Sequence, residues 1–381
     1  MNSKERVAAA IARKPVDRVP LGFYAVDHDT VENVLGRPTY VRNKIETRIA
    51  LWEGRRDEVA ESFKKDTVEF YRKIDCADLI IFKEAALLPP GDYDPQPPKK
   101  IGDDLWEDRH GNVWQADRRA NDLMCVRNAR GEGSAGREWS VEDFEMPVEV
   151  PPPDESIFEA FDYLLRELGE ERYISGIMHA APMPMLGSFE QAMMVYALQP
   201  EVILAANRRH AAVEAKLDPY YFRPGMAGAF AEQDMAGTNG PFISPEMWRE
   251  LCLPCFKDRI ASIKTHAKQV GFHCCGRTIP LMEMFIEAGV DCYQSLQTTA
   301  GMEIGLLKEE FGDRMSFWGG VPLETLIMGT PEDVRRDVRT AMDRGAPGGG
   351  FILGPSHSIA KNTRYENFMA MLDEFVKLRD R

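Results

Sequence analysis

The segment Gly271-Phe272-His273-Cys274-Cys275-Gly276 carries the residue types and spacing best suited to chemistry. It follows Gln269 and Val270 as an apolar strand that runs into metal-type ligands and stops at a glycine. Side chains alternate on an extended chain, so His273 and Cys275 leave one face and Cys274 the other. One imidazole and one thiolate from a single strand end make half of a tetrahedral zinc site. An isolated H-x-C is more often a packed, hydrogen-bonded strand end than a ligand pair, so the weight comes from what else reaches the same place. Phe351-Ile352-Leu353-Gly354-Pro355-Ser356-His357 reads as a second strand that ends in an imidazole, and Glu232-Gln233-Asp234 closes a third with carboxylates. Asp234, His273, Cys275 and His357 together supply three or four ligands, with room for a substrate atom if one is displaced. Glu232 is a substitute ligand or an outer partner for an imidazole, which leaves Asp234 as a catalytic carboxylate beside a set of His273, Cys275, His357 and Glu232.

Other polar groups follow expected strands and become catalytic candidates by position. His179 comes after residues 173–178 and is read either as facing the same cavity or as a satisfied surface histidine. Tyr24, Asp27 and His28 follow the first strand, and Lys83 and Glu84 the second. Tyr24, Glu84, His179 and Asp234 are therefore the catalytic candidates. For Met178, Met183, Met185, Met193 and Met194, core filling is favoured over an adaptable ligand pocket. Cys76, Cys125, Cys252, Cys255, Cys274 and Cys292 read as ordinary buried or partly buried thiols. Pro347–Gly350 has the glycines of a phosphate turn but precedes its strand, so it reads as a tight helix-to-strand loop.

Positioning these groups requires a particular scaffold. Short apolar runs rich in β-branched and aromatic residues recur, each followed by a turn and a helical period, as βα units on a parallel sheet require. Strands are expected at residues 19–24, 77–82, 173–178, 228–232, 269–273, 292–295, 316–319 and 350–353, the eight that close a barrel. The expected fold is α/β, a single (β/α)8 TIM barrel over residues 1–381, with an insertion between the second and third strands. That insertion, residues 87–153, is rich in Pro and charge, and Leu105–Gln115 within it reads as a hairpin about His110-Gly111-Asn112. Helices are expected from residue 155 to 168 and from 245 to 266, and the N-terminus leads into an amphipathic helix.

Composition bounds the function. Of 381 residues, 44% are hydrophobic, enough for one large core, and no run approaches the ~20 apolar residues of a membrane span. The reading is a cytoplasmic protein without a signal segment or a membrane partner. Seven cysteines, two of them adjacent, suit reduced thiols better than a disulfide framework. A net charge of -14 argues against nucleic acid, whose phosphates need a basic surface.

Five stretches together resemble the uroporphyrinogen decarboxylase superfamily, which includes corrinoid-dependent methyltransferases. They are Arg13–Gly22 (RKPVDRVPLG), Asp234–Met247 (DMAGTNGPFISPEM), Gly271–Gly276, Ile286–Asp291 with Phe317-Trp318-Gly319-Gly320, and Gly348–Ile359 with Asn367. The resemblance implies a barrel with its site at the strand C-terminal ends. It does not imply decarboxylation. The decarboxylases carry an arginine-rich stretch after the first strand that clamps the tetrapyrrole carboxylates, where this chain reads Phe23-Tyr24-Ala25-Val26-Asp27-His28-Asp29. The methyltransferase branch holds zinc through an H-x-C, matched by His273 and Cys275, and a cysteine near the end of the last strand, where this chain has His357. Zinc with one thiolate is less electron-rich than zinc with two and polarises a ligand oxygen more strongly.

The expected activity is thus O-demethylation: a small-molecule methyl donor such as a methoxyarene gives its methyl group to the corrinoid (cobalamin) of a partner corrinoid protein, with His179, Glu84 or Tyr24 positioning or protonating the leaving group. The alternatives are the opposite direction, methylcobalamin to a thiol of the coenzyme M type; a metal-free lyase acting on a tetrapyrrole, with Asp234 or Glu232 handling pyrrole charge; and a zinc-bearing binding protein. Barrels of this kind commonly pair as homodimers.

Overall fold

The chain is described by a computed structural model over residues 1–81, 83, 87–128 and 137–380. Eight parallel strands lie in one sheet in chain order: β1 (Gly22–Phe23), β2 (Leu79–Ile81), β3 (Tyr173–Ile177), β4 (Gly228–Glu232), β5 (Val270–His273), β6 (Cys292–Gln294), β7 (Ser316–Val321) and β8 (Phe351–Pro355). The parallel bridges Leu21↔Leu353 and Val26↔Ile359 join the first strand to the last and close the barrel. All eight expected strands are present in the expected order. The first is shorter than its apolar run, because the flanking residues meet β8 only through single bonds such as Leu353 N–H to Pro20 O, at 2.9 Å.

Two-residue alternation decides what fills the barrel. Leu79, Ile81, Tyr173, Phe230, Cys292, Trp318 and Ile352 pack inside, against Val7, Ala10 and Ile11 of the N-terminal helix Ser3–Ile11. The intervening Ile80, Ile174, Ala229, Ala231, Val270, Phe272, Tyr293, Phe317 and Leu353 face outward into the core shared with the helices. Gly271 makes this packing possible, since a Cβ there would sit 2.4 Å from the Phe230 ring. The N-terminal helix plugs the barrel and is held by the buried Asp78 carboxylate, which accepts from Ser3 Oγ and Arg6 Nη1, each at 2.6 Å.

Carrying the same alternation two residues further along β4, β5 and β6 places Glu232, His273 and Gln294 on the inner face. They are adjacent in register, His273 pairing with Glu232 on one side and Gln294 on the other. The row of interior residues at the C-terminal end is therefore polar where the rows below it are apolar.

The insertion between β2 and β3 contains a four-stranded antiparallel sheet, Lys99–Gly102, Leu105–Glu107, Val113–Asp117 and Asp122–Arg127. The expected hairpin forms its two central strands, and Asp108 Oδ1 ties the turn by accepting from His110 and Asn112 N–H at 2.8 and 3.0 Å. This sheet leans on the segment after β1: Asn121 Nδ2 donates to Arg42 O at 2.8 Å, and Arg118 pairs with Glu46 at 3.1 Å.

Several local expectations are corrected. Residues 245–266 form two helices, Pro245–Leu251 and Leu253–Lys264, because Pro254 cannot supply the N–H a continuous helix needs. The helix expected at 155–168 begins with a 3-10 turn, Glu155–Phe158, before Glu159–Leu168. Cys125 is exposed on the insertion sheet, since its edge lacks a covering layer. Met178 and Met183 are core residues as expected, whereas Met185 and Met194 are exposed. Among the described residues no helix is long and apolar enough to cross a membrane.

Candidate metal centre at the C-terminal end of the barrel

His273 ends β5 with its imidazole buried among Tyr24, Gln294, Asp234 and His357. Its Nδ1–H donates to Gln294 Oε1, which fixes the tautomer and leaves Nε2 as the unprotonated, accepting nitrogen. The Tyr24 ring stacks on the imidazole, centroids 4.0 Å apart and planes 7° from parallel, so the ring cannot rotate without displacing the tyrosine. Burial pushes the His273 pKa down to about 3, which keeps the imidazole neutral, the form that binds a metal.

Cys275 emerges two residues later on the same face, as the extended chain requires. Its Sγ lies 3.4 Å from His273 Nε2 and 3.3 Å from Ser295 Oγ. Gly276 then turns the chain at φ +85°, and a Cβ there would come within 2.4 Å of Ala236 O, so only glycine admits this close approach. Burial and the Asp234 carboxylate push the Cys275 thiol up to about 12. A thiol so placed ionises only when a cation is supplied to it. Asp234 Oδ1 accepts from Cys275 N–H at 2.7 Å and stands 3.7 Å from His273 Nε2.

His357 reaches the same point from beyond β8, its ring 5.6 Å from that of His273 and 6.1 Å from Tyr24. Burial lowers its pKa as well, so it too presents a neutral nitrogen. One ligand atom from each of His273, Cys275 and His357 lies within 4.8 Å of the others. Three ligands at such separations fit one tetrahedral ion with a fourth position open. Neutral imidazoles, a fixed tautomer and a thiol beside them form a donor set that suits zinc.

A cavity of about 320 Å³ opens above these ligands, walled by Tyr24, Arg42, Lys83, Glu232, Asp234 and Ser358 among others. Glu232 turns to Lys83, Oε2 to Nζ 2.6 Å, and stands apart from the three-ligand cluster. Lys83 Nζ lies 4.5 Å over the Tyr24 ring. Burial pushes Lys83 down to about 8 and Glu232 up to about 7, each toward its neutral form. Arg42 is held by Asp27 at 3.2 Å.

His179 is exposed and lines a neighbouring cavity, one it shares with Glu232. Glu84 lies outside the described residues. Sequence reasoning missed Gln294, Ser295 and Arg42. The first two lie inside an expected strand, and a polar pair closing the apolar Cys292-Tyr293 was the available signal. Ser295 also carries a φ of +98° while fully buried, a backbone conformation that non-glycine residues adopt rarely and mostly at functional sites. Its Oγ bonds both the Cys275 sulfur and Ser356 O, at 3.1 Å, so it links the strand ends that carry the thiol and His357.

Residues 226–378, which include β4 through β8 and all three ligands, match the uroporphyrinogen decarboxylase (URO-D) family. The resemblance read from the motifs holds over that part of the chain. Among solved structures, a methyltransferase from Methanosarcina mazei superposes with a TM-score of 0.63, covering 99% of each chain at 16% sequence identity, which establishes the shared barrel fold. No curated protein matches the sequence.

Proposed function

We propose that this chain, as one barrel unit with its insertion, is a zinc-dependent methyltransferase that moves a methyl group from a methyl ether, a methoxyarene in the first instance, to the cobalt(I) corrinoid of a partner protein. The observation that carries the reading is the convergence of His273, Cys275 and His357 on one point at the C-terminal end of the barrel, the end where barrel enzymes place their chemistry. Bound there, zinc would supply Lewis acidity toward the ether oxygen and so improve the phenolate as a leaving group. The likeness to a methyltransferase fold supports the reaction class, and the seven free cysteines suit a reducing, cytosolic setting.

The chain's own residues divide the remaining work. Gln294 and Tyr24 hold the His273 ring so that Nε2 points at the ligand cluster. Ser295 and Asp234 fix the Cys275 sulfur and backbone. Lys83 faces the cavity with a donating ammonium, which can hydrogen-bond the departing oxygen and give it a proton from Nζ. Past β3, Met185 in the loop and Phe189 at the start of the helix Phe189–Leu198 are exposed apolar side chains, at 43% and 50%, available to a partner surface. The tetrapyrrole-lyase reading is weakened by the cavity's polar groups: Arg42 is already paired with Asp27 and Lys83 with Glu232, so neither stands open to a polycarboxylate.

Gln294→Leu, which keeps the volume but removes the acceptor for His273 Nδ1–H, is expected to weaken zinc binding about 10- to 100-fold in a chelator competition. The reaction itself is tested by incubating the protein with reduced corrinoid protein and a methoxyarene. Methylcobalamin should form without any thiol present. Transfer that proceeds only from methylcobalamin to an added thiol would reverse the assigned direction.

A further inference from the structure

A second cavity of about 250 Å³ lies beside the metal-centre cavity, with Met178, Ala181 and Tyr221 on its apolar walls and His179, His210 and Glu232 on its polar ones. Glu232 lines both cavities, so the two share a wall. The rings of His179 and Tyr221 meet edge to face, 5.4 Å apart at 79°, an arrangement that offers aromatic faces and edges to a flat ligand. The backbone of this wall is fixed from outside, where Arg259 Nε donates to His179 O at 2.6 Å.

His210 walls the cavity as well, but its Nε2 has no surface that a water molecule can reach, so the polar atom does not open onto this space. Small side chains at Ala180 and Ala181 keep the space open.

We propose that this cavity holds the aryl body of the methyl donor, a flat ring that packs against the His179 and Tyr221 pair, with the ether oxygen directed past Glu232 toward His273, Cys275 and His357. The inference rests on the methyl-ether reading and assigns the place of its substrate's ring.

The test is titration calorimetry of the full chain with 2-methoxyphenol, catechol and methoxybenzene, before and after zinc is stripped with a chelator. Ala181→Leu fills the cavity and should raise all three dissociation constants at least about 10-fold. His179→Ala, which removes the exposed half of the aromatic pair, should raise all three by about 3- to 10-fold. Thermal midpoint and zinc content should stay at wild-type values in both variants. Unchanged dissociation constants in both variants, or no binding of any of the three rings, would overturn the subsite. Zinc-dependent methyl transfer from a ring-free donor without ring binding would also overturn it, while sparing the methyl-transfer reading. Cavity-dependent ring binding by a protein that takes up no zinc would support the subsite and sink the metal reading alone.

Discussion

Cys275→Ser is expected to lower bound zinc from about one ion per chain to a small fraction of that, and to cut methyl transfer by more than the ~100-fold that bounds the loss of an outer-sphere partner. The reason is local. Cys275 contributes the one sulfur in the three-ligand cluster, and burial beside Asp234 leaves its thiol at about 12 unless a cation compensates. A serine hydroxyl in that place ionises far less readily, so the cluster would retain two neutral imidazoles and no anionic sulfur. Elemental analysis after gel filtration measures the zinc, and single-turnover formation of methylcobalamin measures the transfer. The circular dichroism spectrum should be unchanged, because Cys275 packs no core layer. Wild-type zinc content and rate in this variant would remove Cys275 from the metal centre.

The second large effect concerns stability. Arg259 on the helix Leu253–Lys264 and Asp218 on the helix Pro200–Tyr221 form a doubly hydrogen-bonded ion pair, both contacts at 2.5 Å, with each side chain 3% exposed. Ser262 Oγ adds a third bond to Asp218, at 3.2 Å. Removing one partner of a buried pair strands the other charge in a poorly solvated place, which costs about 3–5 kcal/mol. Asp218→Ala should therefore lower the free energy of unfolding by about that amount in a urea melt. The double variant Asp218→Leu/Arg259→Met should lose much less, because no charge is stranded. It also removes the donor to His179 O, so weaker ring binding at near-normal stability would separate the pair's two roles. Equal losses in the single and double variants would contradict this account.

How much of this was legible beforehand depends on the range over which each feature is determined. The barrel was readable because each strand and helix declares itself within a short window, and parallel order follows from the alternation of the two. His273, Cys275 and His357 were readable for the same reason: two share a face by local geometry, and the third ends another strand. Glu232 was found, but its pairing was not, since nothing local ties it to Lys83 across a separate strand end. Arg42 was invisible because a loop between helices brings it to the cavity, where Asp27 holds it. For His179 the sequence leaves two placements open, the metal cavity or the surface, because strand alternation stops at Ile177; the turn that follows leaves it exposed and on the wall of the neighbouring cavity. The hydrogen bond from His273 to Gln294 depends on the register between β5 and β6, which composition does not encode.

The most direct test is an anomalous-difference map recorded on either side of the zinc absorption edge from crystals of the protein purified without chelators. The account expects one peak per chain, about 2.0–2.1 Å from the coordinating nitrogens of His273 and His357 and about 2.3 Å from Cys275 Sγ. A zinc-loaded protein whose peak lies elsewhere, or those three atoms splayed too far apart to touch one ion, would contradict it.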